Sequence, residues 1–511
     1  MRTISYASLV ASVVVVYVVY LATVALHRLL FHPLAKFPGP RLAAVTRLYE
    51  AYYDLALGGR YTHKIAELHE QYGPIIRISP YELHIHDSHY YDKFYRDDSR
   101  SNKYAWTYDA VGAKDVAIST ADHEAHRRRR APFTPFFSKP AVSSRVDFIQ
   151  ATVDKLGERI DGFVDSEEVL NLGAAYSALT SDIATEFTLG ESNHNLDQDN
   201  FNEDMAVILQ SMGTIWRWTK HFWFVGPLVR GMPMGVAEKI VDSKMRAFLS
   251  YLMVLTSQVC DLMTAHVSGQ RFVSARPNLV DVILSSKHLL DSEKSVRRVA
   301  DEISAVTSAG FETTALALRM TSYHLYTHPS VLARLRAELR QLTNTLPPGE
   351  RPTWTQLSQL PYLTAVIMEG LRLSTGLVTR MARVSRDEIR YGAWKIPAGT
   401  PVGMTTILMH YDESIFHDAK KFDPQRFVDQ EERWKLEKYF APFSRGSRMC
   451  LGMHLAWAEL YLTLAMVVSR FDFEFVDTGP EDVEFHTDQF VFGPKGTNGI
   501  KAIAKQWEWA S

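Results

Sequence analysis

Cysteine is nearly absent from this chain: its 511 residues contain two, Cys260 and Cys450. Two cysteines exclude a disulfide framework and every all-cysteine metal site. Charge of one sign is lacking as well. The formal balance is −2, which removes the electrostatic case for a nucleic-acid partner. No internal repeat or low-complexity segment is present. No glycine-rich dinucleotide fingerprint lies between a strand and a helix, so the sequence gives no sign of an electron supply of its own. What the chain does have is apolar bulk. Hydrophobic residues make up 46% and charged ones 22%, the balance of a folded body.

Part of that bulk is one run. From Thr3 to Leu26 there is no charged residue. At 1.5 Å per residue the run is roughly 36 Å long, against about 30 Å for a hydrocarbon core. Only Arg2 precedes it and no small-x-small cleavage site follows, so a retained anchor over residues 1–30 is expected rather than a cleaved signal peptide. His27, Arg28, Lys36 and Arg41 bias the body toward the cytosolic side. Pro33, Pro38, Gly39 and Pro40 make residues 31–45 a proline-rich hinge, which leaves 46–511 as the folded body.

Within that body, IIRISPYELHIH at 75–86 reads as two short strands joined by a turn, and helical periodicity dominates residues 120–380. NTLPPGERP at 344–352 reads as a surface loop. Strand-like pieces return in RYGAWKIPAGTPVGM, FDFEFV and FVFGPKG. Strands at both ends with helices between them predict one large, mainly α domain with a small β portion assembled from distant parts of the chain. Cys260, inside YLMVLTSQVCDLM, reads as a small core residue.

Cys450 has different surroundings. From Leu451 to Phe471 the pattern is an apolar-rich helix, whereas Gly446 and Gly452 break regularity before it, so Cys450 sits at a loop-to-helix junction. The positive end of the helix dipole there, with Arg445 and Arg448, is expected to favour a thiolate. Such a sulfur suits a haem ligand, a nucleophile or an inert core position. His454 is one helical turn away, so the nucleophile stays open on spacing. Haem is the better fit, because flanking glycines let a flat macrocycle approach the backbone and the arginines would balance its propionates.

The run from Phe443 through Gly446, Arg448 and Cys450 to Gly452 resembles the cytochrome P450 signature FxxGxRxCxG at all five fixed positions. The resemblance implies Cys450 as axial iron ligand, Phe443 beside the sulfur, Gly446 permitting the turn and Arg448 on a propionate of haem b. Residues 301–320 read DEISAVTSAGFETTALALRM, and Ala309 to Thr314 is similar to the family's oxygen-binding motif AGx(D/E)T(T/S). That implies a local widening of the helix at Gly310 beside the iron, Thr313 donating a hydrogen bond to dioxygen, and Glu312 linking the site to proton supply. Glu369 and Arg372 resemble the family's ExxR pair, and Pro424, Arg426 and Phe427 its PxRF element, with Gln425 where glutamate is commonest. Arg383, fourteen residues after Glu369, falls where the family has a propionate-binding arginine. In DHEAHRRRR, Arg130 takes the arginine position of WxxxR and His126 replaces its tryptophan, while Arg128 and Arg129 read as a solvated face.

The resemblance covers the chain from the anchor to Gly452 and is strongest to fungal secondary-metabolism members such as the trichothecene-pathway oxygenases. It implies the cytochrome P450 fold, one large helical domain with haem between the central helix and the cysteine loop. It also implies a monooxygenase in the endoplasmic reticulum membrane, single-pass and facing the cytosol, that draws electrons from an NADPH-cytochrome reductase and from cytochrome b5. Residues 104–118, the aromatic-rich GTIWRWTKHFWFVG, Leu373–Thr379 and Phe490–Phe492 are expected to line a pocket with few fixed charges, suited to a hydrophobic small molecule such as a terpenoid. The rival readings are a haem-thiolate isomerase or dehydratase and a non-catalytic haem-binding membrane protein.

Overall fold

The uncharged run at the amino terminus is helical to its end. The structure is a computed structural model that describes residues 6–96, 100–226, 228, 243–268, 277–496 and 499–507. Helix α1, Tyr6–Leu30, has 25 residues with none buried, long and apolar enough to cross a membrane. Residues 1–5 of the expected anchor lie outside the described residues. The chain then divides into two compact units, one made of Met1–Asp87, Ser99–Tyr104 and Arg380–Thr405, the other of the remainder.

In the first unit the proline-rich segment packs against the strands. The Phe37 ring stacks on Trp394 with centroids 4.9 Å apart, and the Arg77 N–H donates to the Pro38 carbonyl at 2.7 Å. Gly39 has φ 147°, and a Cβ there would collide with the Arg77 carbonyl oxygen, so the glycine is what allows this approach. Five strands form a sheet in the order Ile75–Arg77, Leu83–Ile85, Pro401–Gly403, Arg383–Val384, Asn102–Lys103. Leu83–Ile85 and Pro401–Gly403 pair in parallel and the rest antiparallel, which joins stretches more than 300 residues apart in sequence. The expected hairpin forms between Ile389–Tyr391 and Trp394–Ile396.

Among the helices of the second unit are α2 (His123–Arg130), α3 (Leu172–Leu189), α4 (Glu203–His221), α5 (Val296–Thr327), α6 (Pro361–Ser374) and α7 (Met453–Arg470). Nearly all of α3 is buried, and its small residues Gly173, Ala174, Ala175, Ala178 and Ala184 let it lie close along α5. Hydroxyls stitch the pair: Thr180 donates to the Phe311 carbonyl at 2.9 Å, Tyr176 meets Ser322 at 2.7 Å, and Thr188 meets Thr307 at 3.1 Å. Helix α6 opens with Pro361, and the Glu338 carboxylate accepts its first free amides, Tyr362 and Leu363, at 2.8 Å each. Lys501–Gln506 pairs antiparallel with both Phe471–Phe475 and Val169–Asn171. The last of these was not expected, because three residues between two long helices are too few to carry a period-two signal. At 60% helix and 9% strand the chain is predominantly helical, as the sequence predicts.

Candidate active site

The loop from Ala441 to Gly452 is closed by its own backbone. Ser444 N–H donates to the Ala441 carbonyl at 3.0 Å, Met449 N–H to Gly446 at 3.1 Å and Cys450 N–H to Phe443 at 2.9 Å. Ser444 and Gly446 take φ values of 62° and 70°, and a Cβ on Gly446 would collide with the Tyr95 carbonyl oxygen. Cys450 is therefore delivered to the start of α7 by a turn with little freedom. A Cβ on Gly452 would meet no heavy atom within 4 Å, so that side of the loop is open. The Phe443 ring lies 6.1 Å from Trp457 of α7.

Two arginines hold the backbone around the sulfur. Arg130, at the end of α2, donates to the Met449 carbonyl at 2.8 Å. Arg448 donates to the carbonyls of Thr120, Ala121 and Asp122 at 2.6, 2.9 and 3.2 Å, so it braces the segment that leads into α2. His126 is buried one turn before Arg130 on the same face of α2. Arg128 and Arg129 are not a solvated face: both pair with Glu293, at 3.3 and 2.6 Å, and Arg129 is 13% exposed. The correction comes from a tertiary partner 164 residues away, which a local charge run cannot reveal.

The Cys450 thiol is pushed above its ordinary value by burial, against the opposing pull of the Gly452 N–H and the Arg130 charge. The expectation that the junction alone favours a thiolate is corrected: desolvation outweighs the local dipole. The side chain nevertheless counts as exposed. Cys260 is half-buried on the helix Ser243–Ser268 rather than fully in the core.

The polar cluster on α5 lies in the same unit. The helix runs unbroken through Gly310. The nearest atom to a Cβ on Gly310 would be Ala184 Cβ at 3.2 Å, so its missing methyl serves the contact between α3 and α5. The Thr313 hydroxyl donates to the Ala309 carbonyl at 2.9 Å, and its side chain faces Gly376, 3.5 Å from where a Cβ would stand. Glu312 is drawn the other way, into an ion pair with Arg319 at 2.5 Å, and Arg319 donates in turn to Ser177 at 3.1 Å. Among the described residues nothing bonds its second oxygen, Oε2, which is itself buried. Arg319 was not singled out from the sequence, since a partner two helical turns away has no local signal.

The segments expected to line a pocket converge near Gly376. Phe492 N–H donates to the Gly376 carbonyl at 3.2 Å and Val378 N–H to Phe490 at 3.3 Å. The Phe490 ring packs on Tyr108 and Trp216 at 5.9 and 5.4 Å. Trp216 Nε1 donates to the Thr107 carbonyl at 3.1 Å, and Thr219 to Ala110 at 2.6 Å. Two cations are buried with them. Lys220 Nζ lies 4.3 Å from the Trp216 ring centre, and Arg217 donates to the Asp488 carbonyl at 3.3 Å.

Behind the cysteine loop, Arg372 and Glu369 form a two-pronged pair at 2.7 and 2.8 Å, both with no exposed surface. Arg426 reaches Glu369 at 3.3 Å, while Gln425 accepts from Arg334 at 2.7 Å. Arg383 belongs to the first unit, where it is buried in the strand Arg383–Val384 and donates to the Met381 carbonyl at 3.1 Å.

Residues 48–499 match the cytochrome P450 family. The chain belongs to that family. It is 35% identical to a cytochrome P450 monooxygenase of Sordaria araneosa over 97% of this chain and 98% of the relative. It is 36% identical to a tryptophan 6-hydroxylase of Fusarium equiseti over 97% and 96%, and 33% identical to the cytochrome P450 monooxygenase TRI4 of Fusarium sporotrichioides over 94% and 92%. This cytochrome P450 is a haem-dependent monooxygenase, and haem b is its cofactor.

One buried acid of this cytochrome P450 takes no part in the arrangement above. Glu459 on α7 is 1% exposed, among the described residues nothing bonds its Oε2, and burial raises its pKa well above 4.5. A raised carboxyl pKa makes a contribution to stability that is fully present below 4.5 and is lost as pH climbs through the raised value, because the folded state there binds the extra proton. Glu459→Gln should therefore unfold at a higher temperature than wild type at pH 8, with the gap closing at pH 4.5. A gap that widens toward acid pH would contradict the assignment.

Proposed function

We propose that this cytochrome P450 inserts one atom of dioxygen into a hydrophobic organic substrate of fungal secondary metabolism, at a haem held by the Cys450 thiolate. The observation that carries the reading is the cysteine loop itself: Cys450 is fixed by the closed turn at 443–450, and a Cβ on Gly452 two residues on would meet no heavy atom within 4 Å. That arrangement fits a flat macrocycle with one protein ligand. Bound haem supplies the activation of dioxygen, with electrons from an NADPH-dependent reductase.

The residues contribute position and protons. Phe443 and the turn around Gly446 hold the sulfur, and Arg130 keeps the preceding peptide in place through the Met449 carbonyl. The propionate roles of Arg448, Arg130, His126 and Arg383 rest on the family resemblance. Thr313 offers a hydroxyl proton that is now given to Ala309 and can be turned outward. Glu312 is the half-buried acid next to it in sequence, paired with Arg319. Helix α1 anchors the enzyme in the endoplasmic reticulum membrane with the body in the cytosol. Exposed basic residues near the cysteine loop, such as Arg127, suit an acidic reductase or cytochrome b5.

The substrate reading is a terpenoid, which rests on the sequence resemblance to trichothecene-pathway oxygenases. A second reading, an indole or related aromatic acid, is favoured by the rings of Trp216, Tyr108 and Phe490 beside buried Arg217 and Lys220, and by the tryptophan 6-hydroxylase relative. Incubation with reductase, NADPH, isotopic dioxygen and a panel of both classes separates them. Product that forms without label from dioxygen would sink the monooxygenase reaction for that substrate.

Thr313→Val tests the proton role. The thiolate-type carbon monoxide band should survive, while product per NADPH falls on the order of tenfold and hydrogen peroxide rises in compensation. Unchanged coupling would remove Thr313 from the proton route.

A further inference from the structure

The His410 imidazole stands between the buried ion pair of α6 and the loop that carries Cys450. His410 ends the short helix Thr406–His410 and has no exposed surface. Its Nε2 accepts the Ala441 N–H at 3.0 Å. A ring nitrogen that accepts carries no proton, so the neutral ring holds its single proton on Nδ1. Nδ1 lies 2.7 Å from Thr375 Oγ1 and 3.0 Å from the Arg372 carbonyl, and the Thr375 hydroxyl donates to that same carbonyl at 2.9 Å. A single tautomer thus satisfies every partner of the ring. From the other side, the Arg372 guanidinium donates to the His410 carbonyl at 2.6 Å.

Ala441 is where the cysteine loop begins. It is 1% exposed, so its N–H has no water to turn to and needs a protein acceptor. Pro442 follows and has no N–H of its own. The Ala441 carbonyl then receives Ser444, and the loop closes when Cys450 N–H reaches Phe443. We propose that His410 is a positioning residue for the haem ligand: its unprotonated Nε2 fixes the Ala441 amide, and so ties the start of the Cys450 turn to the Glu369–Arg372 pair. It acts through Ala441 and not on the sulfur. The charged groups that face the ring are Arg372 and Arg445, with Thr375 at Nδ1. Burial, helped by those two cations, holds the His410 pKa down to about 3, so the ring keeps its accepting form throughout the neutral range.

Glutamine and asparagine separate the two ends of the ring. His410→Gln keeps an acceptor near the Nε2 position, whereas His410→Asn keeps a polar group near Nδ1 and removes the acceptor for Ala441. Both variants are measured as full-length, haem-loaded protein, by amide hydrogen exchange over residues 438–449 and by the reduced carbon monoxide spectrum. His410→Asn should exchange about tenfold faster in that segment and lose thiolate-type band, with α3 unchanged, while His410→Gln stays near wild type in both. Equal behaviour of the two variants overturns the proposal, whether both resemble wild type or both are disrupted, and so does the reverse order. The effect on the band rests on Cys450 being the ligand. Amide exchange reads the His410–Ala441 link without that assumption, and a thiolate band that survives Cys450→Ala would sink the ligand alone.

Discussion

Cys450→Ala should lose the thiolate-type band of the reduced carbon monoxide spectrum entirely, and NADPH-dependent product with it, while Cys260→Ala keeps both at the wild-type level. The two cysteines differ in what holds them. Cys260 lies half-buried along a helix, whereas Cys450 sits at a junction whose turn is closed by the Ser444, Met449 and Cys450 amides. The raised thiol pKa sharpens the expectation. A nucleophilic cysteine is helped by a lowered pKa, whereas burial pushes the Cys450 thiol up against the pull of the Gly452 N–H and Arg130. A metal ion takes the proton off by coordination, so the same burial that disfavours a nucleophile is compatible with a ligand. Alkylation gives an independent reading: the Cys450 sulfur of haem-free protein should react slowly at pH 7, and not at all once haem is bound. Survival of the band in Cys450→Ala would show that another residue binds the iron.

The parts of this site that were legible in sequence are those whose chemistry is local. The turn from Phe443 to Gly452 is written in consecutive residues, because a positive φ at Gly446, the ring of Phe443 and the sulfur all act within ten positions. The strands at 75–85 and 389–396 were legible for the same reason, each pair joined by its own turn. What sequence could not supply were partners. Arg129 looks solvated until Glu293 is brought to it, and Glu312 looks aimed at Thr313 until Arg319 claims it from two turns along α5. The sign of the Cys450 shift failed on a global quantity, since burial depends on everything packed around the loop. His410 carries no motif of its own, and its role emerges only when Ala441 and Arg372 are seen on opposite sides of one ring.

Arg372→Ala should be the most destabilising single change in the framework. An isolated Glu–Arg pair three residues apart on a helix is usually an exposed contact worth under about 1 kcal/mol. Here both side chains have no exposed surface, so the comparison is with buried pairs, where removing one partner costs about 3–5 kcal/mol. Arg372 also donates to the carbonyls of His410 and Ala419 at 2.6 Å each and to Lys421 at 3.3 Å, and its guanidinium lies 4.9 Å from the Phe416 ring centre. Alanine strands all of these groups together. Glu369→Gln is milder, because Arg372 keeps its three carbonyls and the Asp423 amide can still donate to the side-chain oxygen that stands where Oε1 accepts it at 3.0 Å. Against a total stability of about 5–15 kcal/mol, the alanine change should leave little haem-loaded protein, and the glutamine change should leave a measurable fraction with a lowered urea midpoint. The order matters more than the size. If Arg372→Ala unfolded at a higher urea concentration than Glu369→Gln, the carbonyls would not be what Arg372 holds, and the network would reduce to a simple ion pair.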